Sequence, residues 1–397
     1  MSKGMTRVLS LICMAALLLL SACGQESKQA QGEAKSGAPE NSAETIKVGA
    51  VFSLTGPNSP LGMPEKQAVE LLAKKINENG GVNGKKIEMK IEDDKSDNTE
   101  AVKAVKKLAK TDGVLAVLGS SGSGPSLGMA KFAEDEKLPM ISMAAADEIT
   151  NPVRAGIFKT PHTDIHGTKR IYTFLKEKNM TSIAVLYDSN PYGSGWAKQL
   201  KAFASEYGIT IVAEEKYGTK DNSMSTQLTK IKGSGASALI IAGTNPGPST
   251  IVKEAKQLGL TIPIISSHGS ANNKFIELAG EAAEGVYMLA GKLLVPDQLK
   301  AEDPQTKVIK EFVEAYKKEY NSIPDGFAGY AYDGLNILAE GLKATNGDAS
   351  KLNDALRSLK HVGVTGEFVF SEKDHNGLSE TSMVILQVKD GKFQLVP

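Results

Sequence analysis

From residue 46 onward, short apolar runs alternate with longer stretches whose apolar positions recur at helical spacing. Residues 46–53 read as a strand. Residues 64–79 place Ala68, Leu71, Leu72 and Ile76 on one helical face, and Gly80-Gly81 end that helix as glycine does after a last turn. Residues 86–93 alternate Ile87, Met89 and Ile91 with polar neighbours, the period of a strand. A helix over 99–110, a buried strand over 114–119, a helix over 126–136 and a strand over 139–142 follow. This β-α-β-α-β order predicts a doubly wound parallel sheet.

After Thr160-Pro161 the rhythm restarts. Helices are predicted over 167–178, 192–207, 224–232 and 248–259, and strands over 183–188, 210–215, 238–242 and 263–266. Two such sets imply two lobes, and a body of roughly 350 residues exceeds what one core usually serves. The expected fold is α/β: two doubly wound parallel-sheet lobes joined by a hinge of two or three strands. Helices over 304–320 and 329–344 are expected to return to the first lobe. Strands around 367–370 and 382–388 are expected to close the second, with Asp390-Gly391 as a hairpin turn. The first lobe is then 46–161 plus 295–362, and the second 162–294 plus 363–397.

The segment ahead of this body has a different pattern. Lys3 and Arg7 precede an apolar run over 8–20, which is shorter than the ~20 residues that span a bilayer. Small residues follow, in the order Leu20-Ser21-Ala22-Cys23. The tetrad resembles a bacterial lipobox, which implies a signal peptide over 1–22 and a lipidated Cys23 at the new N-terminus. Residues 24–44 hold no large apolar side chain, so they cannot offset chain entropy by burial and are expected to form a flexible tether, over 23–45 with its anchor. The expected location is outside the cytoplasm, lipid-anchored to the cell membrane.

Composition removes several functions. The chain has 46 basic and 46 acidic residues, so no strong net field exists to attract nucleic acid. Lys103, Lys106, Lys107 and Lys110 recur at helical spacing as a solvated face. The two cysteines, Cys13 and Cys23, both precede the body, so stability has to come from the core. The five histidines show no metal-ligand spacing, and no Ser/His/Asp constellation emerges. No metal, cofactor or catalytic residue is expected.

A candidate ligand loop follows the third strand. Gly119-Ser120-Ser121-Gly122-Ser123-Gly124-Pro125-Ser126 leads from a strand into a helix. Pro125 suits a first helical turn, glycines let backbone approach a ligand, and a helix N-terminus favours an anion. The bland alternative is a Gly/Ser turn with no ligand. The glycines match a dinucleotide fingerprint poorly, because that loop belongs after the first strand.

The order of Ile46-Lys47-Val48-Gly49-Ala50, Ser53-Leu54-Thr55-Gly56-Pro57, the tract 76–84, Ile91-Glu92-Asp93-Asp94, Asp188 with Tyr192-Gly193, and Tyr332-Asp333 resembles the branched-chain amino-acid type of periplasmic binding protein. The resemblance covers 46–397. It implies a non-enzymatic, monomeric solute-binding lipoprotein of an ABC importer, whose two lobes close on a small ligand and dock on a membrane permease. It also implies that Ser123 and Gly122 hold a ligand carboxylate, that Ala144 offers backbone groups, and that Tyr192 covers the ligand. Phe327 falls on a pocket aromatic. At 146 the family carries a hydroxyl where this chain has Ala146. Asp147 either substitutes for that hydroxyl or is an exposed helix cap. Thr244 and Leu61 stand where amino-acid binders carry tyrosines.

The largest departure from the family is His268, at a position where amino-acid binders carry an acid that pairs with the ligand ammonium. A neutral imidazole supplies no fixed negative charge, and an unpaired buried ammonium is costly. The expected ligand is therefore a small carboxylate: an amino-free organic or aromatic acid in preference to a branched-chain or other amino acid. The alternatives are packing roles for Tyr192, Phe327 and His268, and, for the whole chain, a sensory binding protein or a secreted α/β enzyme.

Overall fold

A computed structural model describes residues 45–397. The signal, Cys23 and the tether lie outside the described residues. Among the described residues no helix is long and apolar enough to cross a membrane.

The first sheet is built from β1 (Thr45–Phe52), β2 (Lys86–Asp93), β3 (Ala116–Gly119), β4 (Met140–Ser142) and β5 (Ile157–Lys159), all parallel, in the order β2-β1-β3-β4-β5. Helices α1 (Ser59–Glu78), α2 (Asn98–Lys107) and α3 (Ser123–Asp135) connect them. Burial on both faces explains the near-continuous apolar character of β1 and β3. Val48 and Phe52 pack on one side, with α1 residues Leu61, Val69 and Leu72. Val51 and Val117 pack on the other, with Val105 of α2 and Met129 of α3. Asp97 caps α2, accepting from the Thr99 and Glu100 amides at 2.7 and 3.0 Å. Helix α1 begins five residues before the predicted start and carries Pro64 within it.

The second half supplies α4 (Asp164–Glu177), β6 (Ser182–Asp188), α5 (Pro191–Phe203), β7 (Thr210–Tyr217), α6 (Ser225–Lys232), β8 (Ala238–Ala242), α7 (Gly247–Gln257), β9 (Ile264–Ser266), α8 (Asn273–Ala279) and β10 (Tyr287–Gly291). Three further helices, α9 (Thr306–Tyr320), α10 (Gly326–Ala344) and α11 (Ala349–Arg357), pack on the first core through Phe312, Leu338 and Leu356. The chain ends with β11 (Lys360–Val362), β12 (Glu367–Val369), β13 (Met383–Lys389) and β14 (Lys392–Leu395). The second sheet runs β14-β13-β10-β9-β8-β6-β7. Its β6 to β10 strands are parallel, and β13 and β14 add antiparallel to β10. Asp390 and Gly391 turn between them with φ of 51° and 68°, the left-handed pair a two-residue hairpin requires.

One expectation for the C-terminal segment is corrected. Residues 367–370 do not close the second sheet. They pair as β12 with β11 in a separate two-stranded ribbon. Phe368 and Phe370 bury in the first core, where Phe370 meets Phe158 edge-on at 5.4 Å. Val364 and Leu378 join them there, so 363–378 packs with the first lobe and only the β13–β14 hairpin completes the second sheet. The apolar alternation is real, but a strand three residues long pairs with whatever edge its side chains can reach while staying buried. The chain thus passes between the sheets after β5, after β10 and after β12.

Both lobes bring a helix against the end of their first strand through a glycine. A Cβ on Gly62 of α1 would lie 2.2 Å from the Ser53 carbonyl oxygen, and one on Gly193 of α5 would lie 2.1 Å from that of Asp188. These close approaches position the two strand ends that face each other across the cleft.

Candidate functional site

A cavity of about 560 Å³ lies between the lobes, at the carboxyl ends of the parallel strands. Eight of the nine residues expected to meet a ligand line it: Leu61, Gly122, Ser123, Ala144 and Phe327 from the first lobe, and Tyr192, Thr244 and His268 from the second. The ninth, Ala146, is fully buried and absent from the lining, which corrects its expected place at the ligand. Its amide donates to Ser123 Oγ at 3.3 Å, so it acts behind the serine. Its missing hydroxyl is therefore not replaced from the same position.

The Gly/Ser loop is held from below by a network of hydrogen bonds, in which only Glu65 Oε1 has no partner. Ser123 opens α3, after Gly122 in an extended conformation. Ser121 Oγ accepts from the Ser53 amide at 3.0 Å and donates to Glu65. Ser120 donates to Asp94, which also accepts from Ser53 Oγ at 2.7 Å and from the Ser96 amide at 2.8 Å. Ser126 Oγ reaches the Ser120 carbonyl at 2.9 Å and Ser142 Oγ at 2.8 Å, and Ser142 Oγ accepts from the Ala144 amide at 3.1 Å. The loop is therefore rigid while the first amides of α3 point outward for an anion. The acids beneath it are held toward their neutral forms. Burial pushes Glu65 well up, with the nearby charges of Asp94 and Asp325 adding to it. Burial also raises Asp94, and it pushes Asp325, the cap of α10, up to about 7.

The opposite wall differs. Tyr192 is fixed, its hydroxyl accepting from the Gly269 amide at 2.8 Å and donating to Ser267 Oγ at 3.1 Å. Its ring stands edge-on to His268, centroids 5.6 Å apart. His268 is 2% exposed, and neither ring nitrogen has a hydrogen-bond partner. Burial, with the Lys159 charge adding, pushes the imidazole down to about 3, so it is neutral at physiological pH. Lys159 is itself fully buried and donates to the Ala145 and Ala146 carbonyls at 2.6 and 3.1 Å. Asp147 is not the exposed cap expected of it: it is 5% exposed and accepts from the Asp164 amide at 3.2 Å, at the start of α4.

Phe327 meets Tyr330 edge-on at 5.8 Å, and both line the cavity with Leu61 and Met143 as an apolar side. Thr244 Oγ1 donates across the cleft to Asn58 Oδ1 at 3.4 Å. Tyr330, Met143, Asn58 and Lys220 were not singled out from sequence. Their signal lay only in position, on loops after strands or one turn from Phe327, and such positions are numerous. No group of three or more His, Cys, Asp or Glu among the described residues is placed to hold a metal.

The model of one family, Periplasmic binding protein, matches residues 45–392. The chain belongs to the periplasmic binding protein family. A Pseudomonas aeruginosa leucine-, isoleucine-, valine-, threonine- and alanine-binding protein is 31% identical over 335 residues, 83% of this chain and 87% of the relative. An extracellular ligand-binding receptor from Rhodopseudomonas palustris HaA2 superposes with a TM-score of 0.84 at 26% identity, over 89% of this chain and all of that one. The branched-chain amino acid transporter substrate binding protein LivJ from Streptococcus pneumoniae, in complex with isoleucine, superposes with a TM-score of 0.79 at 28% identity, over 88% and 98% of the two chains. The periplasmic binding protein is therefore similar to branched-chain amino-acid binding proteins, with the two-lobe fold expected from sequence and the extracytoplasmic place of work of its family. Its relatives are binding proteins and not enzymes.

Proposed function

We propose that this periplasmic binding protein captures a small, amino-free carboxylate for an ABC importer and delivers it to a membrane permease. The observation that carries this reading is the pairing of two walls across one cavity. The Ser123 loop presents helix amides and a serine to an anion, and the facing wall presents a neutral His268 with the Lys159 cation close enough to act on it. An ammonium placed beside His268 would meet a neutral imidazole with a like charge nearby, and the one acid of the lining, Asp97, is on the first lobe, where it caps α2. Gly122 and Ser123 hold the carboxylate, with Ala144 backbone beside them. Tyr192 covers the ligand, and Leu61, Phe327 and Thr244 surround its body. Ligand binding closes the lobes about the strand crossings.

A thermal-shift panel of leucine, isoleucine, valine, phenylalanine, benzoate-like acids and short keto acids tests this, because binding to the native state raises its melting temperature. Amino-free acids should give the larger shifts. A clear shift with leucine or valine and none with any amino-free acid overturns the reading. It would favour the second reading, a branched-chain amino acid, which the names of the Pseudomonas and Streptococcus relatives support.

The Cys23 lipid anchor belongs to the same proposal. Cys23→Ala should release a folded body into the soluble fraction or stall processing. Correct cleavage with full membrane retention would exclude the anchor.

A further inference from the structure

The second-lobe end of the cavity holds polar atoms that the protein leaves unpaired. His268 lines the cavity with both nitrogens unpartnered. Directly behind it stands Trp196, ring centroids 5.7 Å apart, fully buried and with its Nε1–H unpartnered. Asp164 is also fully buried, and neither carboxyl oxygen has a partner. Its Oδ2 sits against Gly195, 2.7 Å from where a Cβ there would be, beside Trp196. Thr168, one helical turn on from Asp164 and equally buried, leaves its hydroxyl unpartnered too. Buried polar groups are nearly always hydrogen-bonded, and each exception costs free energy. One unmet atom is unremarkable. Four residues with such atoms fall in this part of the second lobe, and His268, the one that lines the cavity, presents its unmet nitrogens to a ligand.

The chemistry of the group restricts what it binds. Trp196 only donates, a neutral His268 donates once and accepts once, and Thr168 does both. Burial and the neighbouring Asp147 push Asp164 well above the usual carboxylate range, and Lys159 opposes them. A full cation or anion would satisfy only half of such a mixed set. A hydroxyl or carbonyl satisfies it without adding buried charge.

We propose that this end of the cavity is a second polar subsite, which takes an uncharged hydroxyl or carbonyl group on the ligand, with His268 as the direct partner and Trp196 packed behind it. The inference rests on the carboxylate reading above and adds the class of ligand: a carboxylic acid bearing a second, neutral oxygen function distant from the carboxyl. A site built to hydrogen-bond such a group disfavours the analogue that lacks it.

Matched acids differing only by that oxygen test it by calorimetry on the soluble body: phenylacetate against para-hydroxyphenylacetate, cinnamate against para-coumarate, and butanoate against gamma-hydroxybutanoate. At least one oxygenated acid should bind roughly tenfold or more tightly than its parent. His268→Leu should bring that ratio close to one, and His268→Gln, which keeps one donor and one acceptor, should restore most of it. Trp196→Phe, which removes the N–H and little volume, should lower the ratio in part. Because each readout is a ratio within one variant, loss of folded protein does not mimic the result. Parent acids that bind with no preference in any pair, or a preference untouched by His268→Leu, overturn the subsite and leave the carboxylate reading standing. Failure of every acid to bind overturns both.

Discussion

The two walls of the cavity treat their polar groups in opposite ways. On the first-lobe wall Ser53, Asp94, Ser120, Ser121, Ser126 and Ser142 bond to one another, and only Glu65 Oε1 beneath them is unmet. On the second-lobe wall His268, Trp196, Asp164 and Thr168 leave theirs unmet. A wall whose hydrogen bonds are closed internally is rigid before any ligand arrives, and it offers the ligand only what points outward, here the start of α3. A wall with open hydrogen bonds gains its satisfaction from the ligand, so it discriminates among ligands. On the proposed reading the first wall provides affinity for a carboxylate common to many compounds, and the second provides the choice between them.

The contrast extends to protons, and it gives the largest expected effect. Asp325 under the first wall is pushed up to about 7, so between about pH 4 and 7 the native state binds more protons than the unfolded state, and stability falls as pH rises. His268 in the second wall is pushed down to about 3, so between about pH 3 and 6.5 the unfolded state binds more, and stability falls as pH falls. Each difference corresponds to roughly 4–5 kcal/mol, and the two slopes oppose each other. Asp325→Asn, which keeps an acceptor for the Phe327 and Ala328 amides, should leave stability rising more steeply with pH across this window. His268→Leu should leave it falling more steeply. Chemical denaturation from pH 4 to 7 measures both, and parallel curves for the two variants would break the comparison.

Next in size is the anion contact. Ser123→Ala removes a hydrogen bond to a desolvated carboxylate, worth ~1.5–3 kcal/mol, so affinity should fall roughly tenfold to a hundredfold by calorimetry. Unchanged affinity would make the first wall a scaffold with no ligand role.

The paired glycines test whether the two lobes are equally tight where their helices meet their strands. Gly62→Ala and Gly193→Ala each place a methyl against backbone at 2.2 and 2.1 Å, and each should cost ~1–3 kcal/mol in denaturant unfolding. A cost in only one lobe would show that the other can shift its helix.

The smallest effect concerns the bridge between the lobes. Lys198 of α5 pairs with Glu148 at 3.0 Å on the surface, a contact worth under about 1 kcal/mol. Lys198→Ala should weaken ligand affinity by less than about fivefold, mainly through faster dissociation, and the difference should vanish in high salt.

Much of the fold was legible because its elements are long and periodic. The β1 and β6 strands, α1 and α5, and the Asp390-Gly391 turn follow from local pattern alone. Short elements were not legible in the same way. β12 was expected in the wrong sheet, and α8, β10 and α11 were not read at all, because a few residues carry too little periodicity to choose a neighbour. Within the site, Ser123, Tyr192 and His268 could be placed because strand-to-helix loops and the family resemblance point to them. Ala146 could not, since a position two residues from a lining residue can face either way. Nor could Trp196, whose ring meets His268 from α5, or Asp164, which sits against Gly195 from α4.

By itself the sequence determined the alternation of strands and helices, the division into two lobes, the glycine-rich loop ahead of α3 and the absence of an acid at 268, because each is a property of consecutive residues. Only the tertiary structure decided which groups are buried and whether they have partners. Burial and pairing depend on segments far apart in the chain: α1 and β2 beneath the Ser123 loop, α4 and α5 behind His268. Those surroundings make His268 neutral and leave its nitrogens free.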